Sequence, residues 1–152
     1  MYKKILVPLD GSPLAEAALP HAEAIAKSEG AEIVLLRVPM MPATEFFARE
    51  PSIAVKIHEE EQAEAIKYIN LKVEELKKDN IKVSAVTQDG PVPETILNVA
   101  EETHADMIAM STHGRTGPAR WLMGSVAERV VHSSKVPVLL IRSKAERKKK
   151  SK

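Results

Sequence analysis

The sequence KKILVPLDGSP at residues 3–13 joins a short apolar run directly to the start of a helix. Residues 5–9 are apolar without a break, which is typical of a strand that is covered on both of its faces. Ser12 is a favourable helix cap, and Pro13 suits the first helical position because no hydrogen-bonded amide is needed there. This stretch therefore predicts a strand followed at once by a helix, the unit from which parallel sheets are built.

The same alternation of short apolar runs and longer helical stretches recurs along the chain. Strands are predicted at residues 3–9, 32–38, 82–88, 105–111 and 136–142, and helices at about residues 12–30, 55–79, 93–103 and 125–133. This order predicts a single-domain α/β fold with one open five-stranded parallel sheet and helices on both faces. Residues 39–54 contain three prolines and fit neither a helix nor a strand. We expect a long loop there, either a lid or a surface excursion.

Helical spacing indicates which side chains the four predicted helices turn towards the sheet. The inward residues are, in chain order, Leu14, Ala18, Ala22, Ile25, Ile66, Ile69, Val73, Leu76, Ile96, Val99, Ala100, Val126, Val130 and Val131. Because aromatic residues make up only 3% of the composition, the core must consist mainly of aliphatic side chains. That composition is typical of helices that cover a parallel sheet.

Composition and charge narrow the class of protein further. The 152 residues suit one domain, and the absence of cysteine excludes disulfides, thiolate metal sites and cysteine nucleophiles. No apolar run has the length of a signal peptide core or a membrane span, so we expect a cytoplasmic protein without membrane contact. Residues 142–152 carry seven basic residues and one acidic residue, whereas the preceding body has 15 basic and 20 acidic residues. We predict a domain at residues 1–143 that does not bind nucleic acid, and a disordered basic tail at 144–152.

Two predicted strands end in residues suited to ligand binding. In an open parallel sheet, ligands bind outside the carboxyl ends of the strands, where the strand order reverses. The first strand is followed by Asp10, and the fourth by a loop with Gly114 and Gly117 that leads to a helix starting at Gly124 and Ser125. Bare glycine amides and a helix amino terminus together predict a phosphate-binding loop.

Several of these residues have a structural alternative that the sequence leaves open. Ser125 and Glu128 have the spacing of a capping box, which by itself only starts a helix. Asp10 either stabilises the turn into the first helix, or accepts from ribose hydroxyls or reaches a phosphate-bound Mg²⁺. Arg115 either pairs with a phosphate or is only solvated, and His113, without partners at metal-ligand spacing, is expected to be structural.

Sequence signatures of catalysis are missing. Neither G-x-G-x-x-G after the first strand nor G-x-x-x-x-G-K-[ST] occurs, which excludes a Rossmann dinucleotide fingerprint and a P-loop. There is no nucleophile elbow with Ser, His and Asp, no pair of carboxylates and no metal-ligand cluster. The residues therefore favour a binding protein over an enzyme.

In these residues the chain resembles the universal stress protein family, from KKILVPLDGS to KVPVLLIR. ATP-binding members of that family carry the motif G-x2-G-x9-G-[ST]. Gly114 is separated by nine intervening residues from Gly124 and Ser125 and so reproduces the second half of the motif, and Ser111 stands in place of its first glycine.

The resemblance implies a fold, a ligand and an assembly. The fold is the adenine nucleotide alpha-hydrolase-like sheet with strand order 3-2-1-4-5, and the last strand (136–142) would pair two chains into a homodimer. Pro8 and Asp10 would lie by the adenosine, the Val38 backbone would recognise adenine, and the motif residues would hold the phosphates of ATP, with Mg²⁺ reached by Asp10. The predicted nucleotide-binding residues are Pro8, Leu9, Asp10, Val38, Met110, Ser111, His113, Gly114, Arg115, Gly117, Gly124, Ser125 and Val126.

The sequence leaves three functions open. We expect an ATP-binding regulatory protein of the stress response, in which ATP orders the loop at residues 114–123 and changes the dimer surface that meets unknown protein partners. A slow ATPase or an adenylyl-transfer enzyme would need a base at the phosphates, and the sequence shows no evident one. A dimeric interaction module without nucleotide would not need the glycines retained at positions 114 and 124.

Overall fold

The positions of the strands and helices are known for residues 1–113 and 123–142, which a computed structural model of the chain describes. The strands are β1 (Lys4–Leu9), β2 (Glu32–Arg37), β3 (Val83–Thr87), β4 (Met107–Ser111) and β5 (Val138–Ile141). The helices are α1 (Pro13–Glu16), α2 (Leu19–Glu29), α3 (Thr44–Arg49), α4 (Pro51–Lys77), α5 (Val92–Glu102) and α6 (Ser125–Ser133). The predicted domain boundary at residue 143 and the predicted tail at 144–152 lie outside the described residues.

The five strands form one parallel sheet in the order β3-β2-β1-β4-β5. β1 is central, with Leu9 aligned with Arg37 of β2, and Ile5 aligned with Met107 of β4. The predicted α/β class, parallel sheet and strand order are confirmed. The chain adds β2 and β3 on one side of β1 and then returns to add β4 and β5 on the other. The strand order therefore reverses between β1 and β4, where open sheets of this kind bind ligands.

Two apolar layers, one on each face of the sheet, hold the domain together. Ile5, Val7 and Leu35 pack with α2 and α4 on one face. Leu6 and Leu36 pack with α5 and α6 on the other. Because successive residues of a strand point to opposite faces, the central strands must be apolar at every position, as the unbroken apolar runs predicted.

The first predicted helix is in fact two helices. α1 ends at Glu16, and α2 begins at Leu19 with Pro20 in its first turn. Pro20 has no amide proton for the carbonyl of Glu16, and in a continuous helix its ring would collide with that carbonyl. Ala17 and Ala18 instead donate to carbonyls three residues back, each at 3.3 Å. The helix breaks at this tight turn.

The prediction of one long loop at residues 39–54 was wrong. α3 occupies part of that segment, and α4 begins at Pro51 rather than near Val55. Prolines suggested a loop, but Pro51 stands in the first turn of α4, where a missing amide removes no intrahelical bond. α4 has 27 residues and is the longest helix, yet no helix within the described ranges is both long and apolar enough to cross a membrane.

Two residues that were predicted to face inward are on the surface. Ile66 is 48% exposed and Val131 is 42% exposed. The buried residues of α4 are Ala54, Ala65, Ile69, Val73 and Leu76, and those of α6 are Ala127 and Val130. Each helix turns an alanine towards the interior, and a small side chain there permits close packing. Ile66 stands next to Ala65 in the chain, and Val131 stands next to Val130. Hydrophobicity alone does not distinguish adjacent positions at the edge of the apolar stripe of a helix.

Candidate functional site

A cleft of about 450 Å³ opens at the carboxyl ends of β1, β2 and β4. The strand order reverses at this edge of the sheet, and the volume is within the usual range for small-molecule sites. The lining residues are Pro8, Leu9, Asp10, Ala15, Leu36, Arg37, Val38, Met40, Val92, Ile96, Met110, Ser111, Thr112, His113, Met123, Gly124, Ser125, Val126 and Ala127.

The cleft collects the predicted site residues that the structure describes. Pro8, Leu9, Asp10, Val38, Met110, Ser111, His113, Gly124, Ser125 and Val126 all line it. The other three predicted residues, Gly114, Arg115 and Gly117, lie outside the described residues. The carboxyl ends of parallel strands meet at one edge of the sheet, even when they are distant in the chain. The residues that follow each strand could therefore be predicted from the sequence as candidate site residues.

Asp10 organises the turn from β1 into α1. Its Oδ1 accepts hydrogen bonds from the Ser12 amide at 2.9 Å and from the Ser12 hydroxyl at 2.6 Å. The Ser12 hydroxyl in turn accepts from the Ala15 amide at 3.2 Å and caps α1, as predicted. The structural role that the sequence left open for Asp10 is therefore present. Since a carboxylate accepts at both oxygens, this role is compatible with contact to a ligand in the cleft.

α6 begins at the cleft without a side-chain cap. Gly124 occupies the cap position and Ser125 the first helical position, and no side chain of the described residues accepts a bond as a cap. The predicted capping box of Ser125 and Glu128 was wrong, because the box requires its serine at the cap position, one residue earlier. The Glu128 amide makes the first intrahelical bond, to the Gly124 carbonyl at 2.9 Å. Residues 125–127 lie before that bond, so their amides have no acceptor within the helix, and the helix dipole favours an anion there.

Gly124 is the point at which α6 approaches the segment after β4. Its amide donates to the Thr112 carbonyl at 2.8 Å. A Cβ atom added to Gly124 would lie 2.8 Å from that same oxygen and 3.3 Å from His113 Nδ1. Its φ of −62° is open to any residue, so the need for glycine is steric. The close approach of the Thr112 backbone therefore requires glycine at position 124, whether or not a ligand is bound.

Ser111, which replaces the first glycine of the motif, is buried at the carboxyl end of β4. Its hydroxyl accepts a long hydrogen bond of 3.4 Å from the His113 amide, so the side chain is turned towards its own loop. His113 is buried as well, in agreement with the structural role that was expected for it. The Thr112 amide donates to the Ile141 carbonyl at 2.9 Å and ties this segment to β5.

One part of the cleft is apolar and was not predicted in full. Leu36, Val38, Ile96 and Met110 belong to one buried cluster formed by β2, β4 and α5, and Met40 and Val92 also line the cavity. Only Val38 and Met110 were among the predicted residues. Apolar residues on a strand or helix indicate burial, and nothing in their spacing distinguishes a neighbouring helix from a ligand as the group that covers them.

Arg37 is the charged cleft residue that was not predicted. It ends β2 and is only 2% exposed. Its Nη1 donates to the Val38 carbonyl at 3.1 Å, and its guanidinium carbon lies 5.8 Å from the centre of the Tyr68 ring of α4. Burial and a hydrogen bond to Glu16 raise the pKa of Tyr68, so the ring stays neutral beside the cation. The sequence feature that could have identified Arg37 as a site residue is a single arginine at the end of an apolar run.

Comparison with known proteins agrees with this architecture. Residues 1–142 match the model of the universal stress protein family. The chain belongs to that family. A universal stress protein of Methanocaldococcus jannaschii is 35% identical over 144 residues, which cover 93% of this chain and 83% of the relative. The solved structure of a second universal stress protein from that organism is similar with a TM-score of 0.83 at 34% identity, and the match covers 95% of this chain and 98% of the other.

Two more distant solved structures share the fold of this universal stress protein. One is a universal stress protein in complex with cAMP, 21% identical with a TM-score of 0.59 over 93% of this chain and 97% of the other. The second is an Arabidopsis thaliana family member with AMP bound, 18% identical with a TM-score of 0.61 over 95% of this chain and 94% of the other. At these identities the similarity shows the fold alone.

The acidic residues that the structure describes do not form a metal cage. Within residues 1–113 and 123–142 there is no group of three or more histidine, cysteine or acidic side chains placed to hold a metal ion. Mg²⁺ is commonly bound by one or two carboxylates together with the phosphates of a ligand, and it keeps several waters. Asp10 is the carboxylate of the described residues that lines the cleft and fits that pattern.

Proposed function

We propose that this universal stress protein binds an adenine nucleotide, principally ATP, in the cleft between β1 and β4. The observation that carries the proposal is the start of α6, where the amides of Ser125, Val126 and Ala127 precede the first intrahelical bond and no side chain of the described residues caps them. All three residues line the cleft. An uncapped helix amino terminus in a cleft favours a phosphate group, because amide donors and the helix dipole act on the same anion.

The remaining walls of the cleft suit the other parts of a nucleotide. The apolar cluster with Leu36, Ile96 and Met110 offers a surface for a planar base. Asp10 offers carboxylate oxygen to ribose hydroxyls or to a phosphate-bound Mg²⁺, and the Val38 backbone offers hydrogen bonds to the edge of adenine. The two distant relatives in complex with cAMP and AMP indicate that this fold accommodates adenine nucleotides.

We propose a regulatory binding module of the stress response rather than an enzyme. Asp10 and His113 are the groups of the described cleft that are able to act as a base. Asp10 already accepts two hydrogen bonds from Ser12, and His113 is buried beside Gly124. Slow ATP hydrolysis is the second candidate, and it is tested on the same sample as binding.

We also propose a homodimer formed through the last strand. β5 is an edge of the sheet, paired on one side with β4, and its four residues are all apolar. An apolar edge strand with unpaired backbone groups favours association with another strand. The absence of cysteine suits the reducing cytoplasm as the place of action, and the acidic body makes nucleic acid an unsuitable partner. Light scattering at several protein concentrations tests the dimer, and a monomer mass at all of them would contradict it.

Calorimetric titration of the washed, nucleotide-free protein with ATP and Mg²⁺ tests the proposed function. We expect saturable binding of one ATP per chain, weaker binding of AMP because fewer phosphates reach α6, and still weaker binding of GTP. Incubation of the same sample with ATP then measures phosphate release, and release faster than the buffer control would favour the ATPase. A titration without heat or saturation for ATP, AMP and GTP would refute nucleotide binding.

A further inference from the structure

Val38 follows β2 directly, at the edge of the sheet where the cleft lies. Along a parallel strand, successive carbonyls point alternately to the two neighbouring strands. The Arg37 carbonyl accepts a bond from the Gln88 amide at 3.3 Å, and Gln88 follows β3. Val38 lies one residue beyond β2, and a continued alternation would direct its carbonyl away from β3 and towards β1. Val38 also lines the cleft.

Arg37 reaches this carbonyl from the face of the sheet that α4 covers. Alternate residues Ile33, Leu35 and Arg37 share that face, and the first two belong to the cluster packed by α4. The Arg37 guanidinium lies between the Tyr68 ring and the Val38 oxygen, to which Nη1 donates at 3.1 Å. Bonds from a charged donor are about twice as strong as neutral ones, so the peptide after Val38 is held firmly.

Tyr68 in turn is fixed by its own hydroxyl. That hydroxyl donates to Glu16 Oε1 at 2.7 Å, and the ammonium of Lys72 approaches the same oxygen at 3.0 Å. Since the ring is neutral, it attracts the Arg37 cation through its π face without competing for its protons. The guanidinium therefore has one defined position from which to hold the Val38 carbonyl.

We propose that Arg37 is a positioning residue for base selectivity. This inference rests on the proposed binding of an adenine nucleotide. A carbonyl oxygen has two lone pairs, of which one accepts from Arg37 and the other is presented to the cleft. The exocyclic amine of adenine would donate to it, whereas the exocyclic carbonyl oxygen of hypoxanthine or guanine would place two acceptors against each other. A Val38 carbonyl that is held in place makes this repulsion unavoidable, while a loosened one turns away and relieves it.

Arg37→Met tests the role of the guanidinium, because methionine keeps an apolar stem and removes the buried charge. Binding of ATP and of ITP, which has a carbonyl in place of the amine, is measured for the intact protein and the variant. Compared with the intact protein, we expect the variant to bind ATP about tenfold more weakly and to bind ITP with nearly unchanged affinity. The preference for ATP over ITP then falls about tenfold. Arg129→Met is the matched control, since Arg129 is an exposed residue of α6 that pairs with Glu94 at 3.3 Å and does not line the cleft.

The ratio of the two affinities separates positioning from a general effect on charge or stability. Equal weakening of ATP and ITP in Arg37→Met, or a larger ATP preference, would overturn the inference while leaving nucleotide binding in place. No ATP binding by the intact protein would instead refute the proposed function itself. If the methionine variant does not fold, as judged by circular dichroism, Arg37→Gln is compared. This variant keeps an N–H donor without the charge, and it is expected to lose part of the preference.

Discussion

Ser125→Asp is expected to weaken ATP binding at least about 100-fold while the protein stays folded. The change puts a carboxylate on the first residue of α6, beside the amides that are proposed to hold the phosphates. The carboxylate and the phosphates carry like charges at short distance, so they repel each other. The same carboxylate is favourable for the helix itself, because an acid in the first turn interacts with the dipole by about 0.3 to 1 kcal/mol. Calorimetry gives the affinity, and a thermal melt is expected to show an unchanged or higher Tm.

Two comparisons make the Ser125 result specific to phosphate. Ser125→Asn has nearly the shape of the aspartate variant without its charge, and we expect it to keep ATP affinity within about fivefold. Adenosine, which has no phosphate, is expected to bind the aspartate variant as well as it binds the intact protein. ATP affinity that is unchanged by Ser125→Asp would show that the phosphates do not lie at α6, and the observation that carries the proposed function would lose its meaning.

Gly124→Ala is expected to destabilise the protein by about 2 to 3 kcal/mol, a large part of the stability of a domain of this size. The added Cβ would stand 2.8 Å from the Thr112 carbonyl, and neither of the two backbones yields as a flexible side chain would. Relief requires α6 to move away from the end of β4, which breaks the 2.8 Å bond from the Gly124 amide to Thr112. Chemical denaturation measures the loss, and weaker ATP binding should accompany it because the two sides of the cleft separate.

Gly30→Ala is the matched control for this contact. Gly30 ends α2 with a φ of 68°, and nothing lies within 4 Å of a Cβ added to it. Its substitution should lower stability by about 1 kcal/mol through backbone strain alone and leave ATP affinity unchanged. Equal losses of unfolding free energy in the two alanine variants would show that the contact with Thr112 does not add to the cost of Gly124→Ala. A substitution at Gly124 changes both stability and ATP binding, because Gly124 packs against Thr112. A substitution at Ser125 therefore tests ligand binding with less effect on stability.

The central strands were predictable because the physical demand on them is local and severe. A strand covered on both faces must be apolar along its buried length, and the run from Ile5 to Leu9 is apolar throughout. Strand ends that carry Asp10 and Ser111 then had to meet at one edge of a parallel sheet. The resemblance to the universal stress proteins supplied the strand order, and the family match over residues 1–142 agrees with it.

The errors occurred where one signal had two physical meanings. Prolines marked a loop before α4, yet Pro51 stands in its first turn, while Pro20 breaks what looked like one helix. Ser125 has the sequence of a capping residue, but the cap is the preceding Gly124, whose approach to Thr112 determines where α6 begins. A local pattern gives the preference of a segment, and packing against the rest of the chain chooses among the options that the preference leaves.

The sequence by itself therefore determined the parallel sheet, its two apolar layers and the edge at which a ligand site forms, since these follow from periodicity and burial along the chain. Only the tertiary structure decided which groups face that site. The buried Arg37 reaches the Val38 carbonyl because Tyr68, 31 positions further along the chain, packs over it from α4. The residue before α6 is Gly124, whose amide donates to the Thr112 carbonyl, so a glycine rather than Ser125 occupies the cap position. Such contacts join residues that are distant in the chain, and no local periodicity or spacing encodes them.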